Sequence, residues 1–288
     1  MPSITGCISA SFAEVEGQTK LSDRMHAYPL KIAKAFPFDG GQLGVYVMDA
    51  SPGIMSGDRY ELDWRFGEET QVFITNQSYT KVHPAYAHPL SEQKQSLTLL
   101  RGSYVEYMPE PLMLYKDAVL SSTMEVRMEP GSALLLTDLV CPGRTHRGEI
   151  FHYTLYQNKL SVYYDNELIC AARQRVEPGR QRLAGIGSWS DYTHSGSLYL
   201  FYDGIGETFI EQLREFIEHV LQERSDQAAA GRAVQQSPLY YGLSRAYKHG
   251  LILSVLGHKV HAIQFLLEAV WQYIRKELFD KPPLQVRK

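Results

Sequence analysis

Tyr60, Leu62, Trp64 and Phe66 alternate with Glu61, Asp63 and Arg65. A period of two marks a strand with one buried side and one solvent-facing side. Gly67 closes that run, and Val72-Phe73-Ile74 opens the next. The rhythm recurs at Gly102 in LLRGSYVEYM and at Gly131 in RMEPGSALLL, after 35 and 29 residues. Strand-turn-strand units repeated in this way bury a continuous core between neighbours, as in β-solenoids and sandwiches. The expectation is a mainly β chain, a β-solenoid- or sandwich-like antiparallel body with the glycines as hairpin hinges.

The flanking sequence extends this reading. Cys7–Phe12, Leu30–Ala35 and Leu43–Met48 read as short strands. Ile150–Tyr156, Lys159–Tyr164 and Glu167–Arg175 read as a meander, with turns at Gln157-Asn158 and Asp165-Asn166 where asparagine tolerates left-handed backbone. Residues 177 to 196 read as a connection. Apolar residues at helical spacing predict two amphipathic α-helices, Thr208–Arg224 and Lys259–Leu278, in the C-terminal third. Ser225–Gln236 is polar and reads as helix end and loop, and Leu239–Tyr247 with Leu251–Leu256 as a hairpin about His249-Gly250. No boundary divides the chain. A single domain over 1–288 is expected, with a β-rich body to about 202 and a helix-containing part from about 203.

Composition removes several function classes. The net charge of -3 offers no electrostatic case for nucleic acid. Cys7, Cys141 and Cys170 are far apart and odd in number, so neither a zinc site nor a disulfide framework is indicated. The first twenty residues lack the basic start and apolar core of a signal peptide. No apolar run approaches the roughly 20 residues that span a bilayer. A cytoplasmic protein is expected.

No GxSxG, HExxH or phosphate-binding loop is present. Gly204-Ile205-Gly206 lacks the lysine of a phosphate loop and reads as a helix entrance. His258 and His261, three apart, have the spacing of a shared metal but no third ligand, and a solvated helix face is the better account. His83, His88, His146 and His152 are scattered. The carboxylates leave two readings open. Asp58 ends a Ser-Gly-Asp turn whose own amides it can bond. Asp138, inside the apolar run ALLLTDLVC, needs a partner or a cation, and Arg144 or Arg147 could pair it. Glu149 follows Arg147-Gly148 at a strand start.

Five stretches in order then resemble one family. PGIMSGDRYELD resembles the PGG-x-x-GGD-x-L-x-x-D signature of the urease accessory proteins called UreD (UreH in some bacteria). ITNQSYTKVH is similar to that family's TTPGATKFY segment, YVEYMPEPLMLYKDA to its LEWLPQE region, and DLVCPGRTHRGEIF to its LGRPASGE region. LGHKVHAIQFLLEAVWQYIRKEL is similar to its closing leucine-glycine, tryptophan and arginine pattern.

The resemblance implies a non-catalytic scaffold that works with UreF and UreG to deliver nickel to apo-urease, with GTP hydrolysis left to UreG. It also implies an internal, acid-lined route for the ion, with no tightly bound cofactor and only transient nickel(II). Carried over by motif, Asp58 matches the aspartate of GGD, and Asp138 stands where the family often has glutamate. Glu149 matches the acid of SGE, and Ser78 and Thr80 fall in the threonine-rich segment. The sequence departs from the pattern at Ser56, at TNQSYTKV, and at Pro111, where the family acid has either gone or moved to Glu110. Weak oxygen ligands suit an ion that must leave again, whereas a thiolate cage would trap it. The alternative is a carbohydrate-active β-solenoid enzyme using spaced acids such as Asp58, Asp63 and Asp138.

Overall fold

A computed structural model of the chain describes residues 3–87, 89–185, 187–229 and 238–286. Two sheets face one another. The chain starts with β1 (Gly6–Val15), β2 (Gln18–Ala27), β3 (Leu30–Pro37) and β4 (Leu43–Asp49), then winds between the sheets. β5 (Arg59–Phe66), β8 (Ser91–Leu99), β11 (Val119–Met128) and β13 (Leu155–Tyr164) lie in the first sheet. β6 (Gln71–Asn76), β9 (Tyr104–Tyr107) and β12 (Ala133–Cys141) lie in the second, with the short β7 (Thr80–Val82) and β10 (Leu112–Leu114) at its margin. β14 (Glu167–Val176) closes the first sheet. β15 (His194–Phe201), β16 (Tyr240–Arg245) and β17 (Gly250–Gly257) extend the second.

The solenoid-like, mainly β architecture is as expected, but the strand direction is not. Along the stack β1–β5–β8–β11–β13 and β4–β6–β9–β12 all pair parallel. Antiparallel pairing is confined to the ends, as in β1–β2, β13–β14, β3–β4 and β12–β15–β17–β16. The reason lies at the glycines. Gly67, Gly102 and Gly131 are not hairpin hinges; each is a corner that passes the chain from one sheet to the other. Neighbours within a sheet are therefore one coil apart and run the same way. The corners are tight: a side chain on Gly67 would sit 2.7 Å from the Phe12 carbonyl oxygen, and Gly102 has φ of 69°. The opening pair Tyr60–Phe66 and Val72–Ile74 is accordingly split between the sheets.

Two further readings change. β13 runs unbroken through Gln157-Asn158, so the meander has one turn, at Asp165-Asn166, where φ is 47° and 64°. β2 went unpredicted because its sequence is polar and most of it is exposed. The expected loop over Ser225–Gln236 lies partly outside the described residues.

Side chains between the sheets form one core, with Trp64, Phe66, Leu97, Leu99, Val126 and Val162 at its centre. A second core lies on the outer face of the second sheet, where α1 (Glu207–Ala229) and α2 (Val260–Phe279) pack against Phe73, Leu135, Leu139 and Leu200. α2 is fixed by charge as well. Glu106 on β9 is fully buried and accepts from Arg275 Nη1 at 2.6 Å, Trp271 Nε1 at 2.7 Å, the Tyr104 hydroxyl at 2.7 Å and Gln42 Nε2 at 2.6 Å. Arg275 also donates to the Pro282 carbonyl, and Gln272 bonds the main chain of Leu284 in both senses. One buried pair thus ties sheet, helix and the following segment together.

Candidate functional site

Coils stacked in register carry like positions to like levels. On the inner face of the first sheet Tyr60 pairs with Gln93, Gln93 with Ser122, and Ser122 with Asn158. That level is polar in all four coils. The next level inward is Leu62, Gln95, Met124 and Leu160, facing Ile74, Tyr107 and Leu136 across the gap. It is apolar except where the Tyr107 hydroxyl donates to Gln95 Oε1 at 2.5 Å. The apolar level forms a floor between the polar one and the aromatic core. Above it a cleft of about 190 Å³ runs along the coil axis, from Leu30 and Asp49 at one end to Asp138 and Tyr199 at the other.

Each end carries a carboxylate held from the opposite sheet. Asp49, on β4, accepts from the Ser51 amide at 2.9 Å, the Ser51 hydroxyl at 2.6 Å and the Tyr60 hydroxyl at 3.2 Å. Asp138, on β12, accepts from Asn158 Nδ2 at 2.6 Å. Three strand spacings separate β4 from β12, about 14 Å. Burial pushes the Asp138 carboxyl up to about 6, against the smaller opposing effect of Asn158. Between the ends the lining mixes the neutral groups of Gln93, Ser122 and Asn76, which donates to Thr80 Oγ1 at 3.2 Å, with the charged residues Lys81 and Glu110. Ser78, Thr80 and Glu110 stand on the same lining.

The structure therefore gathers Asp138, Ser78, Thr80 and Glu110 around one cleft and leaves Asp58 and Glu149 off its lining. Asp58 Oδ2 accepts the Met55 amide at 2.7 Å, bonding its own turn. Glu149 takes two bonds from Arg144, Nε at 2.7 Å and Nη2 at 2.5 Å, and these hold its carboxyl below the usual range. Asp138 is bonded by Asn158 and not by either arginine that the sequence offered. Asp63 pairs with Arg65 at 3.0 Å on an exposed face, so of the acids that hydrolysis would use only Asp138 lines the cleft.

Histidine adds no ligand set. His194 is buried at the start of β15, and burial first, then His258 and His261, push it down to about 4. His258 faces Asp191 at 3.5 Å. His88 lies outside the described residues. Among the described residues no group of three or more His, Cys, Asp or Glu side chains is arranged to hold a metal.

Residues 5–288 match the family model described as UreD urease accessory protein. The chain belongs to the UreD family. Relatives bearing the name urease accessory protein UreD include that of Acetivibrio thermocellus, 30% identical over 88% of this chain and 91% of the relative. The UreD of Lachnoclostridium phytofermentans is 27% identical over 99% and 98%. That of Staphylococcus saprophyticus is 27% identical over 82% and 79%. The match spans both sheets and both helices of this UreD chain, and thus the whole cleft. No helix among its described residues is long and apolar enough to cross a membrane.

Sequence reasoning missed Asp49, Gln93 and Asn158 as cleft residues. In LGVYVMD the alternation that buries Val45 and Val47 also turns Asp49 inward, which was the available signal. For Gln93 and Asn158 the signal was the register between coils, which a single sequence does not display.

Proposed function

We propose that this UreD chain is a non-catalytic scaffold for urease maturation in the cytoplasm. It assembles with UreF and UreG and passes nickel(II) to apo-urease through the cleft between its sheets. One observation carries the reading: in a UreD family member, a partly polar cleft runs along the coil axis between the sheets, with a carboxylate at each end. Carboxylates attract the cation, and spacing them along the cleft instead of clustering them keeps any one point from holding it. Among the described residues no thiolate or imidazole cage is assembled, which suits passage better than storage, because nickel ranks high in divalent affinity for such ligands. Asp138 and Asp49 are the principal contacts, with Ser78, Thr80 and Glu110 at the lining. Asp58 and Glu149 serve the fold, the first by closing its turn and the second by pairing Arg144.

Asp138→Asn and Asp49→Asn keep shape and remove charge. Each should lower the yield of active urease from apo-urease, UreF, UreG and nickel, with the complex still assembling on size exclusion. Normal activation by both variants would overturn the reading.

A further inference from the structure

On the outer face of the first sheet, β11 and β13 present polar and charged pairs, from Ser121–Gln157 to Arg127–Tyr163. The outward pair before these is apolar: Val119 and Leu155. Val119 is 7% exposed, yet it belongs to neither core. Both side chains line an open hollow of about 800 Å³. Phe151 stands in its wall with φ of 58°, a left-handed backbone that bulky residues seldom take. Its ring meets Trp189 edge-on at 5.3 Å. Residues held in so sparse a backbone region cluster at binding sites. The charged lining is mostly cationic. Lys116, Arg175 and Arg180 come from three separate stretches of chain, with the His152 ring beside them, and Glu177 is the one carboxylate among the described lining residues. Arg175 Nε donates to Glu177 at 2.6 Å and Arg180 Nη1 lies 3.4 Å from it, so one acid answers two arginines. Lys116 has no ion pair among the described residues.

We propose that this hollow binds an acidic peptide segment of a partner protein. Apolar side chains of the segment pack on Val119, Leu155 and Phe151, and its carboxylates meet Lys116, Arg175 and Arg180. Size and charge select the occupant. A lone phosphate or carboxylate would leave most of the 800 Å³ unfilled and the apolar wall wet. A short peptide fills the space and covers that wall. The excess of cations calls for acids, and guanidinium groups offer paired donors that match carboxylates, as in other acidic-motif sites. The neighbouring residues Leu120 and Tyr156 point into the core between the sheets, so the hollow and the cleft lie on opposite faces of the same strands. The inference is therefore independent of the transit reading.

The test titrates the full chain with two fluorescein-labelled peptides, Glu-Glu-Leu-Glu-Glu and Glu-Glu-Gly-Glu-Glu, read by anisotropy. Trp64 and Trp271 are buried, so a change in indole emission with unlabelled peptide reports Trp189. The leucine peptide should bind more tightly than the glycine peptide, shift the Trp189 emission, and weaken as salt is raised. Lys116→Glu combined with Arg180→Glu should lower its affinity about tenfold or more, because attraction becomes repulsion. Lys94→Glu combined with Lys159→Glu makes the same charge change on the same sheet face, flanking Thr123 and outside the hollow. That variant should bind close to the parent. All four positions are exposed, and thermal melts of both variants should match the parent. A parent that binds neither peptide, or an equal loss in the two double variants, would overturn the proposal. Citrate shifting the Trp189 emission while neither peptide does so would also overturn it, by making the hollow a small-anion site. None of these measurements uses nickel or urease activation, so the transit reading stands or falls separately.

Discussion

Asp138 is poorly placed for an ionised carboxylate that serves only the fold. It lies between two sheets with one amide donor, near the Tyr156 and Tyr199 rings. Its carboxyl is raised from its ordinary 3.8 to about 6. The folded chain therefore holds a proton there that the unfolded chain releases between those values, and stability falls as pH rises from about 4 to 6. At pH 7.5 the charged group is a cost, and Asp138→Asn should raise stability by about 1–3 kcal/mol. The gain should shrink to little at pH 4. Urea unfolding at the two pH values checks this, and a variant less stable than the parent at pH 7.5 would contradict it. Asp138 was legible as an acid inside ALLLTDLVC, though its partner was not. Glu106 was passed over for a physical reason: in YVEYM, alternation assigns Val105 and Tyr107 to the core and Glu106 to the opposite face. That face reads as solvent until the helices that cover it are known.

At the scale of elements, α2 shows how little of a helix's seat its own sequence reveals. The apolar stripe was visible, and the helix runs as expected. What fixes it is Arg275, 3% exposed, against Glu106, 0% exposed, from a strand 169 residues earlier. Arg275→Met should cost roughly 3–5 kcal/mol, because it strands a buried charge and releases the Pro282 carbonyl. Glu106→Leu combined with Arg275→Met should recover most of that loss. Denaturant melts of the single and double variants decide it. A single variant within 1 kcal/mol of the parent would show the pair to be incidental. The strand direction was hidden for a different reason. Alternation and a glycine every coil fit antiparallel hairpins and parallel coils equally, since both bury one face in two. The corner carries the distinction, and it depends on whether the next strand meets its predecessor or faces it.

The molecule as a whole has two cores and one interior that is only partly filled. The aromatic core around Trp64 closes the gap between the sheets at one level, while the polar level beside it stays open as a cleft. Helices cover the outer face of the second sheet, so the cleft and the helical layer lie on opposite sides of the same strands. The family was legible in the sequence as five motifs in order, whereas the cleft required coordinates, because its lining comes from twelve strands and the loops between them. The measurement that tests the central claim most directly is urease activation by complexes whose cleft has been filled. Ser122→Phe places an aromatic ring in the middle of the cleft, on a strand whose outer face stays untouched. The account predicts a complex that still assembles with UreF and UreG and melts as one species, yet yields at least about tenfold less active urease at limiting nickel. A filled cleft with parent-like activation would contradict it.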